Sequence, residues 1–170
     1  MKLRIYELSR QFCRDTFNSG NTDLNDYLQK YALQNTSKGI SNCFVLAQEG
    51  STDILGYYTL SAAEIRYEEL PDSEAKKIPK YGVGASLIGR LAVDQTHQRQ
   101  QLGTLLLMDA LFRIHSSSKQ IGIWAVIVDA KNEAAEKFYR KYGFTKLMKK
   151  DRERLFLPIR VVELLLAAQP

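Results

Sequence analysis

The chain has 170 residues, 45% hydrophobic and 25% charged, the balance of a folded domain with a core and not of a disordered segment. Its formal net charge is +5, but Lys137 to Arg154 alone holds eight basic against two acidic residues, a local +6 that leaves the remainder at about −1. No long apolar stretch occurs, none follows the basic start MKLRIYELSRQF, and the two cysteines, Cys13 and Cys43, lack metal-ligand spacing, so the chain is read as a cytoplasmic protein with reduced thiols, no membrane contact and no metal.

An opening strand is expected from Leu3 to Leu8. In TDLNDYLQKYALQN, the residues Leu24, Tyr27, Leu28, Tyr31 and Ala32 recur at the spacing of one helical face, with Asn21 or Thr22 to cap the start. The β-rich runs NCFVLAQ and ILGYYTLSAAEIR, separated by GSTD, read as an antiparallel pair. Residues 67–82 are polar, contain Pro71 and Pro79, and read as a surface excursion. Gly82-Val83-Gly84 precedes a strand instead of joining a strand to a helix, so it is read as a loop and not as a dinucleotide fingerprint. The strand SLIGRLAVD is nearly all apolar apart from Arg90, as a strand covered on both faces should be.

A helix is expected from Leu102 to His115, then a buried strand in IGIWAVIVDA with Trp124 in the core. The next helix begins at Asn132 and ends at Gly143, a suitable C-terminal glycine. A short strand from Thr145 and a last one near ERLFLPI follow, and the final ten residues read as a short helix or a contact with another subunit. No repeat or linker interrupts this order, which describes one α/β domain over residues 1–160, a mixed sheet with helices on both faces, and a C-terminal tail over 161–170.

Chemistry concentrates in LIGRLAVDQTHQRQQLGTLLLMDAL. A strand runs into a polar loop that opens onto an apolar helix, and such a junction aims unpaired N–H groups and a helix dipole at one spot, where a diphosphate fits. An ordinary tight connection would have the same pattern. The basic run after Lys137 has two readings as well, a solvated face or a patch for a polyanion such as CoA or RNA.

The loop resembles the acetyl-CoA motif Gln/Arg-x-x-Gly-x-Gly/Ala of the GCN5-related N-acetyltransferases. The segments SGNTDLNDYL, GYYTL, GRLAVD, VDA and FYRKYGF follow in the order seen in the toxin branch of that family, in type II toxin–antitoxin systems. The resemblance spans roughly residues 5–159 and implies a mostly antiparallel sheet with a splayed central strand pair. It also implies acetyl-CoA as co-substrate, the α-amine of charged tRNA as acceptor, a small ribbon–helix–helix antitoxin as partner, and a homodimer. One position departs: Gln101 stands where the motif has its first glycine, while Gly103 supplies the second. A glutamine there is compatible with the ligand if its torsions are helical and its side chain points outward; otherwise it crowds the diphosphate.

By the same resemblance, backbone groups of Leu91, Ala92 and Val93 hold the pantetheine arm, and the Val93 N–H polarises the thioester carbonyl. Gln98, Arg99, Gln100, Gln101, Leu102, Gly103 and Thr104 form the diphosphate loop, Asn132 bonds the pantetheine, Phe138 is a further acetyl-CoA-binding residue, and Tyr139 is the general acid. A phenol, with an ordinary pKa of about 10, is protonated at neutral pH and able to donate to a leaving thiolate. Tyr142, His97, His115 and the cysteines are given no catalytic role. Two alternatives stay open: an acetyltransferase for a small amine or a protein N-terminus, and a non-catalytic relative that keeps the fold, for which Gln101 is the main support.

Overall fold

The structure, a computed structural model, describes residues 2–148 and 153–170. The chain divides into two compact units, Met1–Ser61 with Gly89–Ala110, and Ala62–Ile88 with Leu111–Pro170. The hydrogen-bonded strand order is β1-β2-β3-β4-β5-β7-β6.

In the first unit, β2 (Asn42–Gln48) and β3 (Gly56–Ile65) form the antiparallel pair read from the sequence, in register from Asn42 opposite Leu60 to Leu46 opposite Gly56. β1 (Leu3–Glu7) pairs antiparallel with β2. Because side chains alternate along a strand, Cys43, Val45 and Ala47 enter one cluster with Phe17, Tyr27, Leu28, Tyr57 and Ala92. Leu28, Val45 and Tyr57 are sealed there, and each such apolar burial contributes about 1.5–3 kcal/mol.

The helix expected after Asn21 is broken. Asn21 caps α1 (Thr22–Asp26) by accepting the Leu24 N–H at 3.1 Å, but a π turn over Tyr27–Tyr31 intervenes before α2 (Ala32–Ser37). There the Ala32 N–H bonds to the carbonyl of Tyr27, five residues back. The extra residue in the turn keeps Tyr27, Leu28 and Ala32 inside and puts Tyr31 out at 52% exposure, so Tyr31 leaves the apolar face that its spacing assigned it.

β4 (Val83–Val93) begins earlier than expected, so Gly84 lies in the strand and not in a loop. It pairs in parallel with β5 (Ala125–Asp129) from Ala85 to Ile88, and β4 itself runs on to Val93. Its coverage is also thinner than the apolar sequence implied: from Gly89 to Val93 only Ala92 is buried.

In the second unit, β7 (Arg154–Pro158) pairs antiparallel with both β5 and β6 (Thr145–Lys146). The segment read as a surface excursion includes α3 (Asp72–Ala75), and it buries Leu70, Ala75 and Ile78 with Ile65, Ala125 and Phe156. Three apolar residues widely spaced among charges escaped the periodicity test, yet they anchor this segment to the core. Trp124 precedes β5, is only partly buried and stacks on Phe156 at 6.2 Å. α4 (Leu102–Ser117) begins in the first unit and ends in the second. α5 (Glu133–Arg140) is followed by Gly143 at φ +99, and α6 (Ile159–Ala167) occupies most of the last ten residues and buries Val162.

Candidate active site

The predicted site residues fall into two groups, Leu91–Thr104 in the first unit and Asn132, Phe138 and Tyr139 in the second. In the first group, β4 ends against Gly56. A Cβ on Gly56 would lie 2.9 Å from the Ala92 carbonyl oxygen and 2.9 Å from Leu106 Cδ1, so the glycine of GYYTL is what lets β3 approach the strand end this closely.

Past Val93 the chain is tied down before it becomes a loop. The Asp94 N–H donates to Leu55 O at 2.8 Å, and the Gln95 N–H to Asn18 O at 2.8 Å. The Asp94 carboxylate accepts the N–H of Asn18 at 3.0 Å, the N–H of Thr96 at 3.0 Å and the Thr96 hydroxyl at 2.6 Å. Partial burial works to raise its pKa, but these bonds outweigh it and hold the carboxyl below the usual aspartate range. Gln98 Nε2 donates to Val93 O at 3.1 Å and to Ser19 O at 3.0 Å. Its side chain therefore braces the loop from behind, a positioning contact for the diphosphate loop with which it was grouped.

The loop itself carries two left-handed residues, Arg99 at φ +64 and Gln101 at φ +61, the only non-glycine positions of that kind among the described residues. With Gln100 between them on the ordinary side, the sign of φ alternates, which is how successive N–H groups are turned toward one concavity. Among the described residues, no acceptor meets the N–H groups from Arg99 to Gly103. Gln101 thus fails one of the two conditions set for it and meets the other: its torsion is left-handed, not helical, and its side chain is exposed. It takes up the backbone shape that a glycine would supply, at a steric cost of about 1–2 kcal/mol. Leu102 turns its side chain into the core and is 6% exposed, so only its main chain faces the loop's concavity.

In the second group, Asn132 is the N-cap of α5 and accepts the Ala135 N–H at 2.8 Å, which commits its side-chain oxygen to the helix. Tyr139 is buried, set edge-on to Phe138 at 5.2 Å and to Phe144 at 5.5 Å. Its hydroxyl bonds to none of the described residues, and it is not sealed; among the described residues the one sealed, unpartnered side-chain polar atom is Arg14 Nε. Burial, seconded by the Asp129 carboxylate, pushes the Tyr139 pKa well above the ordinary phenol value. Asp129 is itself held by Arg154 Nε at 2.8 Å. Tyr142 packs on Phe138 at 5.5 Å.

The other reactive groups are occupied or shielded. Cys43 is buried and its thiol is pushed up to about 12, chiefly by desolvation, which leaves it protonated. His97 Nδ1 meets the Thr96 hydroxyl at 2.9 Å and His115 Nε2 meets Glu163 at 2.9 Å. Among the described residues no cluster of His, Cys, Asp and Glu could hold a metal, and no helix is long and apolar enough to cross a membrane.

The basic run is more neutral than its count. Arg154 is 9% exposed and paired with Asp129. Lys146 sits 3.3 Å from Glu136 and 3.2 Å from Glu153, and Arg140 lies 3.1 Å from Glu136. Glu136 is one residue outside the stretch whose charges were summed, and it takes up two of them. Lys149, Lys150 and Arg152 lie outside the described residues.

Sequence reasoning passed over three contributors: the Asn18–Ser19 strap, which was given no role; Gly56, quoted in a motif without a reason; and Arg90, treated as an exception in an apolar strand. The last did carry a signal, since a lone arginine in such a strand must find a partner or water.

Comparison with known proteins identifies the family. The model of the acetyltransferase (GNAT) domain family matches residues 40–146. A tRNA-acetylating toxin of Mycobacterium tuberculosis is 36% identical over 129 residues, 76% of each chain. Among solved structures, AtaT complexed with acetyl-methionyl-tRNAfMet superposes with a TM-score of 0.89 at 31% identity, covering 96% of this chain and 99% of that one. A Tyr-to-Phe variant of AtaT, bound to the C-terminus of the antitoxin AtaR and acetyl-CoA, gives 0.84 at 26% identity, covering 99% and 100%.

Proposed function

Because the chain belongs to the acetyltransferase (GNAT) family, we propose that it moves the acetyl group of acetyl-CoA onto the α-amine of an aminoacyl ester, with charged tRNA as the acceptor. The observation that carries acetyl-CoA binding is the loop at Arg99–Gly103, whose left-handed residues and open N–H groups suit a diphosphate despite Gln101. The acceptor is supported by the likeness to a tRNA-acetylating toxin and to AtaT with its acetylated tRNA.

The main chain of Leu91, Ala92 and Val93 lies along the pantetheine arm as an added strand would, and the Val93 N–H polarises the thioester carbonyl. An α-amino group has an ordinary pKa of about 7.7–8.0, so a fair fraction is neutral without a protein base. Its nitrogen forms the new bond to the acetyl carbon, the carbon–sulfur bond breaks, and the sulfur leaves as thiolate. Tyr139 gives that sulfur its proton, and the proton lost by the nitrogen restores the phenol. Burial keeps the phenol loaded across the physiological range, and the same dryness raises the basicity of the thiolate that draws the proton away.

A non-catalytic role found its main support in Gln101; its exposed side chain and glycine-like backbone shape weigh against that role, although its torsion is not the helical one set for it. The ion pairs within the basic run favour a small-amine acceptor over a polyanion to some degree, since they leave fewer free charges there. The AtaT variant bound to the C-terminus of the antitoxin AtaR supports an antitoxin partner for this chain, and the reading includes a small ribbon–helix–helix fold for that partner, a homodimer and a cytoplasmic location. The experiment is incubation with acetyl-CoA and bulk charged tRNA, followed by mass analysis of the aminoacyl groups. One or a few aminoacyl species should gain an acetyl mass; acetylation of small amines alone would leave the enzyme class intact and remove the tRNA acceptor.

A further inference from the structure

Arg90 is the charge in β4 that the roles above leave unused. Its N–H donates to Thr59 Oγ1 at 3.1 Å, which fixes its place on the strand. Its guanidinium lies 3.6 Å from the centroid of the Tyr27 ring. That ring is no loose surface aromatic. Its hydroxyl meets Ser41 Oγ at 2.9 Å and Asn35 Nδ2 at 3.3 Å, and its face stacks on Tyr57 at 6.4 Å, whose own hydroxyl donates to Leu24 O at 2.7 Å. A two-ring platform thus holds the guanidinium plane while leaving its edge donors unspent.

Those donors have no protein acceptor. Among the described residues no carboxylate stands within ion-pair distance of Arg90 and no group accepts from its guanidinium. The side chain is half-buried, and none of its nitrogens is sealed from solvent. A fixed, partly desolvated guanidinium with its fork free is the arrangement that receives a phosphate through two parallel hydrogen bonds. The platform residue also opens the π turn Tyr27–Tyr31, and such turns occur disproportionately at functional sites.

We propose that Arg90, on its Tyr27 platform, is an acceptor-positioning residue that binds the internucleotide phosphate next to the aminoacylated terminal nucleoside. The inference rests on the tRNA reading of the proposed function. In an aminoacyl ester the amino acid's carboxylate is esterified, so the nearest negative charge to the reacting amine is that phosphate. Arg90 lies three residues before Val93, about 10 Å along an extended strand, a span that one aminoacylated nucleoside bridges. The diphosphate loop begins on the far side of Val93, so the phosphates of acetyl-CoA belong to other donors.

The test uses the full chain and its Arg90→Gln and Arg90→Lys variants with two acceptors: charged tRNA, and a 3′-aminoacyl-amido adenosine that has no phosphate. Arg90→Gln should lower kcat/KM for charged tRNA about 10- to 100-fold, and Arg90→Lys should lose less because it keeps the charge without the fork. KM for acetyl-CoA and turnover of the phosphate-free acceptor should stay within about twofold of wild type. Equal losses on both acceptors, or unchanged kinetics on charged tRNA, overturn the assignment; the first assigns Arg90 to packing on Tyr27 alone. A wild-type protein inert on charged tRNA overturns the tRNA reading and this assignment together, whereas an active wild type with equally active variants overturns only this one.

Discussion

Between Gln95 and Gln101 every side chain but that of His97 faces solvent, and the atoms suited to a ligand are main-chain N–H groups. Around Tyr139 the reverse holds. The ring is wedged between Phe138 and Phe144, the helix backbone is saturated, and one phenolic hydroxyl is free. The loop should therefore be indifferent to most side-chain replacements and sensitive to backbone conformation, and α5 should be indifferent to anything that spares one oxygen atom.

The largest effect should come from that atom. Tyr139→Phe keeps the ring packing and should lower kcat with charged tRNA about 10²- to 10⁴-fold, with KM for acetyl-CoA nearly unchanged. Steady-state kinetics in both substrates measure the split, and undiminished turnover removes Tyr139 as the acid. Burial and Asp129 raise its pKa. A donor with a raised pKa stays protonated, and therefore active, until the pH exceeds that value. The wild-type kcat profile should accordingly show no alkaline loss from this group below the ordinary phenol value of about 10.

Gly56→Ala tests the other region through its backbone. The added methyl meets the Ala92 carbonyl at 2.9 Å, main chain that cannot swing away. A destabilisation of about 1–3 kcal/mol is expected, or roughly 2–4 °C in Tm for each kcal/mol at this chain length. KM for acetyl-CoA should rise as Ala92 and Val93 shift. A variant as stable as wild type would show that β4 gives way freely here.

Gln98→Ala sharpens the contrast within the loop. It removes both bonds that brace the turn, to Val93 O and Ser19 O, and should raise KM for acetyl-CoA about 5- to 10-fold with little change in kcat. Gln100→Ala, whose side chain is exposed and unbonded among the described residues, should be silent in the same assay. Equal effects at the two positions would mean that the loop acts through its side chains after all.

What the sequence disclosed follows the same division. The antiparallel pair β2–β3, the cap at Asn21 and the amphipathic α5 were legible because each depends on local periodicity and end chemistry. The π turn at Tyr27 was not, because one extra residue in a turn leaves the apolar spacing nearly unchanged. The burial of Leu70, Ala75 and Ile78 was hidden by charged neighbours, and the neutralisation of Lys146 and Arg154 depends on Glu136 and Asp129, partners that only folding brings near. Motif resemblance supplied a list of site residues with roles, but not the contacts that hold each in place. The bonds by which Gln98 braces its loop, and the platform and missing counter-charge that single out Arg90, became visible only in the fold.

The smallest expected effect is also the most pointed. Gln101 holds φ +61 with its side chain in solvent, so the side chain brings strain and no contact, while the residue's carbonyl accepts the Leu105 N–H at 3.2 Å. Replacing it with glycine removes the clash between Cβ and backbone, about 1–2 kcal/mol at a left-handed position. Against this stands the greater freedom glycine gives the unfolded chain. The steric term is the larger where φ is positive, so Gln101→Gly should raise Tm by about 1–3 °C and tighten acetyl-CoA slightly. Thermal melts with and without acetyl-CoA decide it. A lower Tm in the free protein would mean that the loop relaxes out of its left-handed shape when unliganded, and that Gln101 holds it there only when acetyl-CoA is bound.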